Sequence, residues 1–148
     1  MDNCNYYYQF NTIKRLWILD KDHVNKITFQ DDKRPEIGLI DEFDIENLIE
    51  LQCDDENTNL TQKNSYDLEL STIITDINYS TTNLLNSLIC GKYIVIFLTG
   101  EKRYFCFGVD EGASLTYELD INNGYKVTLL ENNSYYPVFQ IKINNFIF

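Results

Sequence analysis

"GKYIVIFLTGEKRYFCFGVDEG", residues 91–112, sets two apolar runs on either side of a four-residue turn, Thr99-Gly100-Glu101-Lys102. Short runs rich in Ile, Val, Phe and Tyr, joined through a glycine turn, read as an antiparallel hairpin of strands 92–98 and 103–109. A strand with one wet face alternates apolar and polar residues, and these two hardly do. Both faces of the pair are therefore expected to be covered, either by the helix and an opposing sheet or by a neighbouring subunit. The pause that follows, Gly108-Val109-Asp110-Glu111-Gly112, suits a tight turn or bulge.

Reading outward, "ASLTYELD" (113–120) alternates Leu115, Tyr117 and Leu119. "INNGYKVTLL" (121–130) supplies an Asn-Gly turn and a strand with Tyr125, Val127 and Leu129 on one side. "VFQIKINNFIF" (138–148) gives a last strand. Upstream, "STTNLLNSLICG" (80–91) predicts the one helix, with Ser80 or Thr81 as N-cap and Gly91 in the left-handed position after it. Its stripe of Leu84, Leu85, Leu88 and Ile89 would lie on a sheet. Two to three turns do not hold alone in water, so this helix must be docked.

Further upstream, "DLELSTIITDI" (67–77) and "ENLIELQ" (46–52) read as strands. The polar run "DDENTNLTQKNSY" (54–66) joins them as the loop of one long hairpin. Segments 13–19, 24–30 and 37–43 complete the set, and residues 1–12 are expected to form a flexible N-terminal arm. The fold class predicted is mainly β, one domain over 1–148. About nine short antiparallel strands form a β-sandwich or rolled barrel with one flanking helix.

Composition agrees. Of 148 residues, 20 are Tyr or Phe and 17 are Asn, while Ala113 is the only alanine, a balance that favours strand over helix. No apolar run is long enough for a transmembrane helix, and residues 1–6 do not resemble a secretory signal, so no membrane partner is expected. The formal charge is −11, and residues 20–56 carry −9 of it, from 13 acidic and 4 basic residues. A groove that grips nucleic acid would neutralise phosphates with Lys and Arg.

No residue pattern calls for catalysis, a metal or a cofactor. His23 lies in a polar turn with only Asp20 and Asp22 nearby, short of the oriented nucleophile a base would need. Cys4, Cys53, Cys90 and Cys106 are scattered without a CxxC pair and read as reduced thiols, two of them buried. "DDEN" (54–57) lacks the rest of a calcium loop, and Gly108–Gly112 lacks the Lys-Ser/Thr of a phosphate cradle. The carboxylates Asp41, Glu42, Asp44 and Glu46 read as a solvated acidic face.

From Ile45 to Tyr136 the order of parts resembles a family of small virion proteins of tailed phages and prophages of Bacteroidetes, including crAss-like phages. The resemblance runs through "YDLELSTII", "TTNLLNSLICGKYIVIF", "FGVDEGASLTYE" and "NNGYKVTLLENNSYYPVF". Its most specific piece is the progression from Gly108 and Gly112 to Asn123-Gly124-Tyr125-Lys126-Val127-Thr128-Leu129. The resemblance implies a non-enzymatic, tail-tube-like subunit of the tail or neck, assembled in the host cytoplasm. It implies a homo-oligomeric ring of sixfold or twelvefold symmetry that touches neighbouring tail or neck proteins and lines the channel of DNA ejection.

On that expectation Asp41, Glu42, Asp44 and Glu46 face the channel, where a negative lining lets DNA slide. Asp54, Asp55, Glu56, Asn57, Gln62 and Lys63 belong to a loop that reaches a neighbouring subunit or ring. The alternative from another class is a β-sandwich that binds carbohydrate or a host surface. Tyr6, Tyr7, Tyr8, Tyr135 and Tyr136 would be its stacking platforms. A small hydrolase is the third reading and has the fewest residues behind it.

Overall fold

The computed structural model describes residues 8–10, 12–29, 37–45, 48–53, 56–62, 67–132 and 138–141, with the backbone alone for 8–10, 23–29, 37–45 and 62. Twelve strands and one helix lie among them. They are β1 (Tyr8–Phe10), β2 (Ile13–Asp20), β3 (Val24–Phe29), β4 (Ile37–Ile45), β5 (Ile49–Leu51), β6 (Asn59–Gln62), β7 (Leu68–Ile74), α1 (Tyr79–Leu88), β8 (Tyr93–Thr99), β9 (Tyr104–Phe107), β10 (Ser114–Asp120), β11 (Gly124–Glu131) and β12 (Val138–Ile141). One sheet has the order β1-β6-β7-β11-β10, the other β3-β4-β12-β9-β8-β2-β5. The chain is mainly β, a sandwich of two sheets with one helix, as its patterning led us to expect.

Three details depart from the expectation. First, β1 falls in the supposed N-terminal arm and β6 in the supposed polar loop. β6 escaped notice because Leu60 is its one apolar residue, and that residue is buried. Second, the segments around 46–52 and 67–77 do not form a hairpin: β5 pairs with β2, whereas β7 lies between β6 and β11 in the other sheet. Third, not every pair is antiparallel, because β12 runs parallel to β4.

The hairpin that decides the fold is present. β8 pairs antiparallel with β9 from Val95↔Phe107 to Leu98↔Tyr104. Alternate residues of these strands enter two cores. Val95, Phe97, Phe105 and Phe107 face the other sheet and meet Leu68, Leu70, Leu115, Tyr125, Val127 and Leu129, together with Leu85 and Leu88 of α1. Ile94, Ile96 and Cys106 point the other way and join Trp17, Leu19, Phe139 and Ile141. The unbroken apolar run is thus explained by a central strand buried on both faces within one chain. No neighbouring subunit is needed to cover it, which removes one of the grounds for expecting a ring.

The helix starts earlier than predicted. Asn78, not Ser80 or Thr81, is the N-cap, and its side-chain oxygen accepts the Thr81 N–H at 2.8 Å. The C-terminal end closes on Ile89 in a right-handed conformation, so Gly91 does not serve as a left-handed cap. Its smallness has a different cause: a β-carbon on Gly91 would run into the Tyr93 phenol, whose hydroxyl donates to Leu88 O at 2.7 Å.

Candidate functional site

A shaped, exposed surface lies on the outer side of β10 and β11. Their turn is built locally. The Asp120 carboxylate accepts the Asn122 N–H at 3.0 Å and the Asn123 side-chain amide at 2.7 Å, and the Asn123 N–H donates to Asp120 O at 3.1 Å. Gly124 follows at φ +116°, in the region that favours glycine, where a side chain would also strike Ile74 O. The register then places Glu118 opposite Lys126 and Thr116 opposite Thr128.

Two shallow grooves meet on this face. One, of about 190 Å³, is lined by residues that include Ile73, Asp120, Asn123 and Gly124; the other, of about 210 Å³, by Thr116, Tyr117 and Thr128. Both include Glu118 and Lys126. Carboxylates that accept, an ammonium that donates and hydroxyls that do both can hold a polar ligand here. β10 is also the outer strand of its sheet. At its start Ala113 exchanges two backbone hydrogen bonds with Tyr93, at 2.7 and 3.0 Å, while Thr116, Glu118, Leu119 and Asp120 stand exposed.

The residues singled out from sequence do not converge on one place. Asp41, Glu42 and Asp44 lie within β4, where the register sets Glu42 opposite Thr28 and Asp44 opposite Lys26 of β3; Glu46 lies outside the described residues. The proposed arm is divided. Glu56 and Asn57 are exposed in a turn, Gln62 ends β6, and Asp54, Asp55 and Lys63 lie outside the described residues. Tyr8 belongs to β1, and Tyr6, Tyr7, Tyr135 and Tyr136 lie outside the described residues. His23 ends a 3-10 turn, Lys21–His23, in which Asp20 accepts the Asp22 N–H.

Of the cysteines, Cys106 is buried, Cys53 is half-buried with its thiol donating to Lys14 O at 3.4 Å, and Cys90 is exposed. One of the two thiols expected to be buried is therefore so, and Cys4 lies outside the described residues. Burial pushes the Cys106 thiol up, with the nearby Glu131 charge adding to the shift, the opposite of what a nucleophile needs.

Two polar constellations were not foreseen. Glu131 is 1% exposed, and its Oε2 accepts the backbone N–H groups of Glu111 at 3.0 Å and Gly112 at 3.1 Å. The 108–112 turn is thereby pinned to β11. A signal was present, since Glu131 continues the every-second-residue spacing of Tyr125, Val127 and Leu129. On the other sheet, Arg15 makes a two-pronged contact with Glu50 at 2.9 and 2.8 Å and sits 4.8 Å from the Trp17 ring centre. Hydrogen bonding to the guanidinium holds the Glu50 carboxyl below its usual range.

Among the described residues no group of three or more His, Cys, Asp and Glu could hold a metal ion, and no helix is long and apolar enough to cross a membrane. Compared with protein-family models, curated proteins and solved structures, the chain matches none.

Proposed function

We propose that this chain is a structural subunit of a phage tail or neck that assembles with copies of itself around the path of DNA. The observation that carries the self-assembly is the second half of β10, where Thr116, Glu118, Leu119 and Asp120 are exposed and, among the described residues, no strand pairs on the side away from β11. An unpaired strand margin is a template for another strand. Five strands paired antiparallel leave both marginal strands running the same way. A ring that continues this sheet therefore joins β10 of one copy to β1 of the next in parallel, a head-to-tail contact of the kind that closes rings.

The virion assignment is supported by the order of parts from Ile45 to Tyr136. Mass spectrometry of purified particles tests it directly: the chain should be present in stoichiometric amounts, and its absence would sink the assignment. Neutralising Asp41, Glu42, Asp44 and Glu46 together should leave the fold intact and perturb assembly or DNA ejection. Unchanged infectivity of that quadruple variant would reduce the acidic stretch to solubilising surface.

A carbohydrate-binding reading is favoured by one observation, the double groove with Glu118 and Lys126 at its centre. Carboxylate, amide and hydroxyl groups suit the hydroxyls of a sugar. A glycan array without hits, or hits unaffected by Glu118→Gln, would dismiss it.

A further inference from the structure

Asn123 is the only one of the 17 asparagines that is followed by glycine, and it stands exposed in the turn between β10 and β11. The side-chain carbonyl carbon of an asparagine can close a five-membered ring with the backbone nitrogen of the next residue. A β-carbon on that next residue crowds the approach, and glycine leaves it open. Asn122 is followed by the side chain of Asn123 instead. Asn83 and Asn86 precede Leu84 and Ser87 inside α1, where the following backbone nitrogens are held by the helix.

One contact restrains the amide that would react. Asn123 Nδ2 donates to Asp120 Oδ2 at 2.7 Å, while the other oxygen of the same carboxylate accepts the Asn122 N–H at 3.0 Å. The register sets Gly124 opposite Asp120, so the attacking nitrogen and the restraining carboxylate belong to one hairpin end.

We propose that Asn123-Gly124 is a self-modifying site, at which the chain converts Asn123 to aspartate and isoaspartate, and that Asp120 sets the pace. The Gly124 nitrogen gives up its proton to solvent and bonds to Asn123 Cγ. The Cγ–Nδ2 bond breaks and ammonia leaves, with a cyclic imide left behind. Water then opens the ring at either carbonyl. One water is consumed and one ammonia released, with no oxidant or reductant. The product carboxylate faces that of Asp120, where an amide had donated to it, and like charges so placed repel. Asp120, Asn123 and Gly124 all line the first groove, so its charge and the end of β10 change together. The chemistry needs only this turn and water, and it stands whether or not the chain belongs to a particle.

Peptide mass spectrometry of the full chain, aged in warm, mildly alkaline buffer, tests the site. Asn123 should acquire the mass of the acid ahead of every other asparagine, with isoaspartate present beside aspartate. Asp120→Ala should speed the conversion between about twofold and tenfold, the rate equivalent of one exposed hydrogen bond. In urea the unaltered chain and Asp120→Ala should convert at the same rate, because the restraint exists only in the folded turn. Circular dichroism melts confirm that the variant folds.

An Asn123 that stays an amide while other asparagines convert overturns the proposal. Aspartate without isoaspartate overturns the ring closure by Gly124. An unchanged or slower rate in folded Asp120→Ala removes Asp120 from its role, as does an acceleration that persists in urea.

Discussion

Glu131 places a carboxylate on the face of β11 that otherwise carries Tyr125, Val127 and Leu129, inside the core. Such a group is tolerated only where donors replace water, and the amides of Glu111 and Gly112 are such donors. Glu131→Ala leaves both amides without this acceptor, and hydrogen bonds to charged groups are worth roughly 1.5–3 kcal/mol each. We expect a loss of about 3–6 kcal/mol in urea unfolding from the two bonds together, with faster hydrogen exchange at Glu111 and Gly112. Cys106 makes a second prediction. Its folded-state pKa is raised, so above the unfolded thiol value of about 8.5 the unfolded chain gives up a proton that the folded chain keeps. Stability should therefore fall with rising pH by up to about 1.4 kcal/mol per pH unit from this group, starting near pH 8.5, and Cys106→Val should flatten that slope. Measuring unfolding free energy for both chains between pH 8 and 9.5 decides it. At this scale the sequence shows which side of a strand a residue faces. It does not show that amides of a distant turn will meet Glu131, because that depends on how β10 folds back onto β11.

Helix α1 shows what tertiary contacts add to local signals. The run Asn78-Tyr79-Ser80-Thr81-Thr82 offers several residues able to cap a helix, and propensity alone does not choose among them. The sheet chooses. The Tyr125 hydroxyl bonds to the Thr82 hydroxyl and reaches Asn78 O at 3.1 Å, the Tyr117 hydroxyl bonds to Asn86, and Tyr93 holds Leu88 O. Three tyrosines thus hold the first, middle and last turns of a helix that buries only Leu85 and Leu88. Asn78→Ala should cost about 1 kcal/mol through the lost cap, and Tyr125→Phe about 1 kcal/mol through the lost hydroxyl. Urea unfolding measures both, and a wild-type midpoint for Asn78→Ala would show that the cap contributes nothing. Elements with a strong internal period, β7, β10 and β11 among them, were legible for the same reason that β6 was not. A four-residue strand with one buried leucine has no period to read, and it exists because Leu70 and Ser71 of β7 offer it a partner.

Across the whole molecule, the apolar run Tyr93–Phe97 reads correctly as a strand covered on both sides, yet burial alone does not tell whether the cover comes from the same chain. Here it does. Ile96 is 0% exposed and has Trp17 and Cys106 as register partners on either side, in the cluster on the far face of the seven-stranded sheet. Ile96→Asp would bury an unpaired carboxylate there, at several kcal/mol. A domain of this kind has a total stability of about 5–15 kcal/mol, so little or no folded protein should remain. Ile121→Asp, at a residue that is 80% exposed, should instead fall within about 0.5 kcal/mol of the unaltered chain. The pair is informative when both are compared in dilute solution, by far-ultraviolet circular dichroism and urea unfolding, where no copy of the chain is at hand to help. Loss of fold in Ile96→Asp under those conditions places the cover of that face within a single chain. A folded, cooperatively unfolding Ile96→Asp monomer would mean that water reaches the far face when the chain is alone, and that another molecule normally closes it.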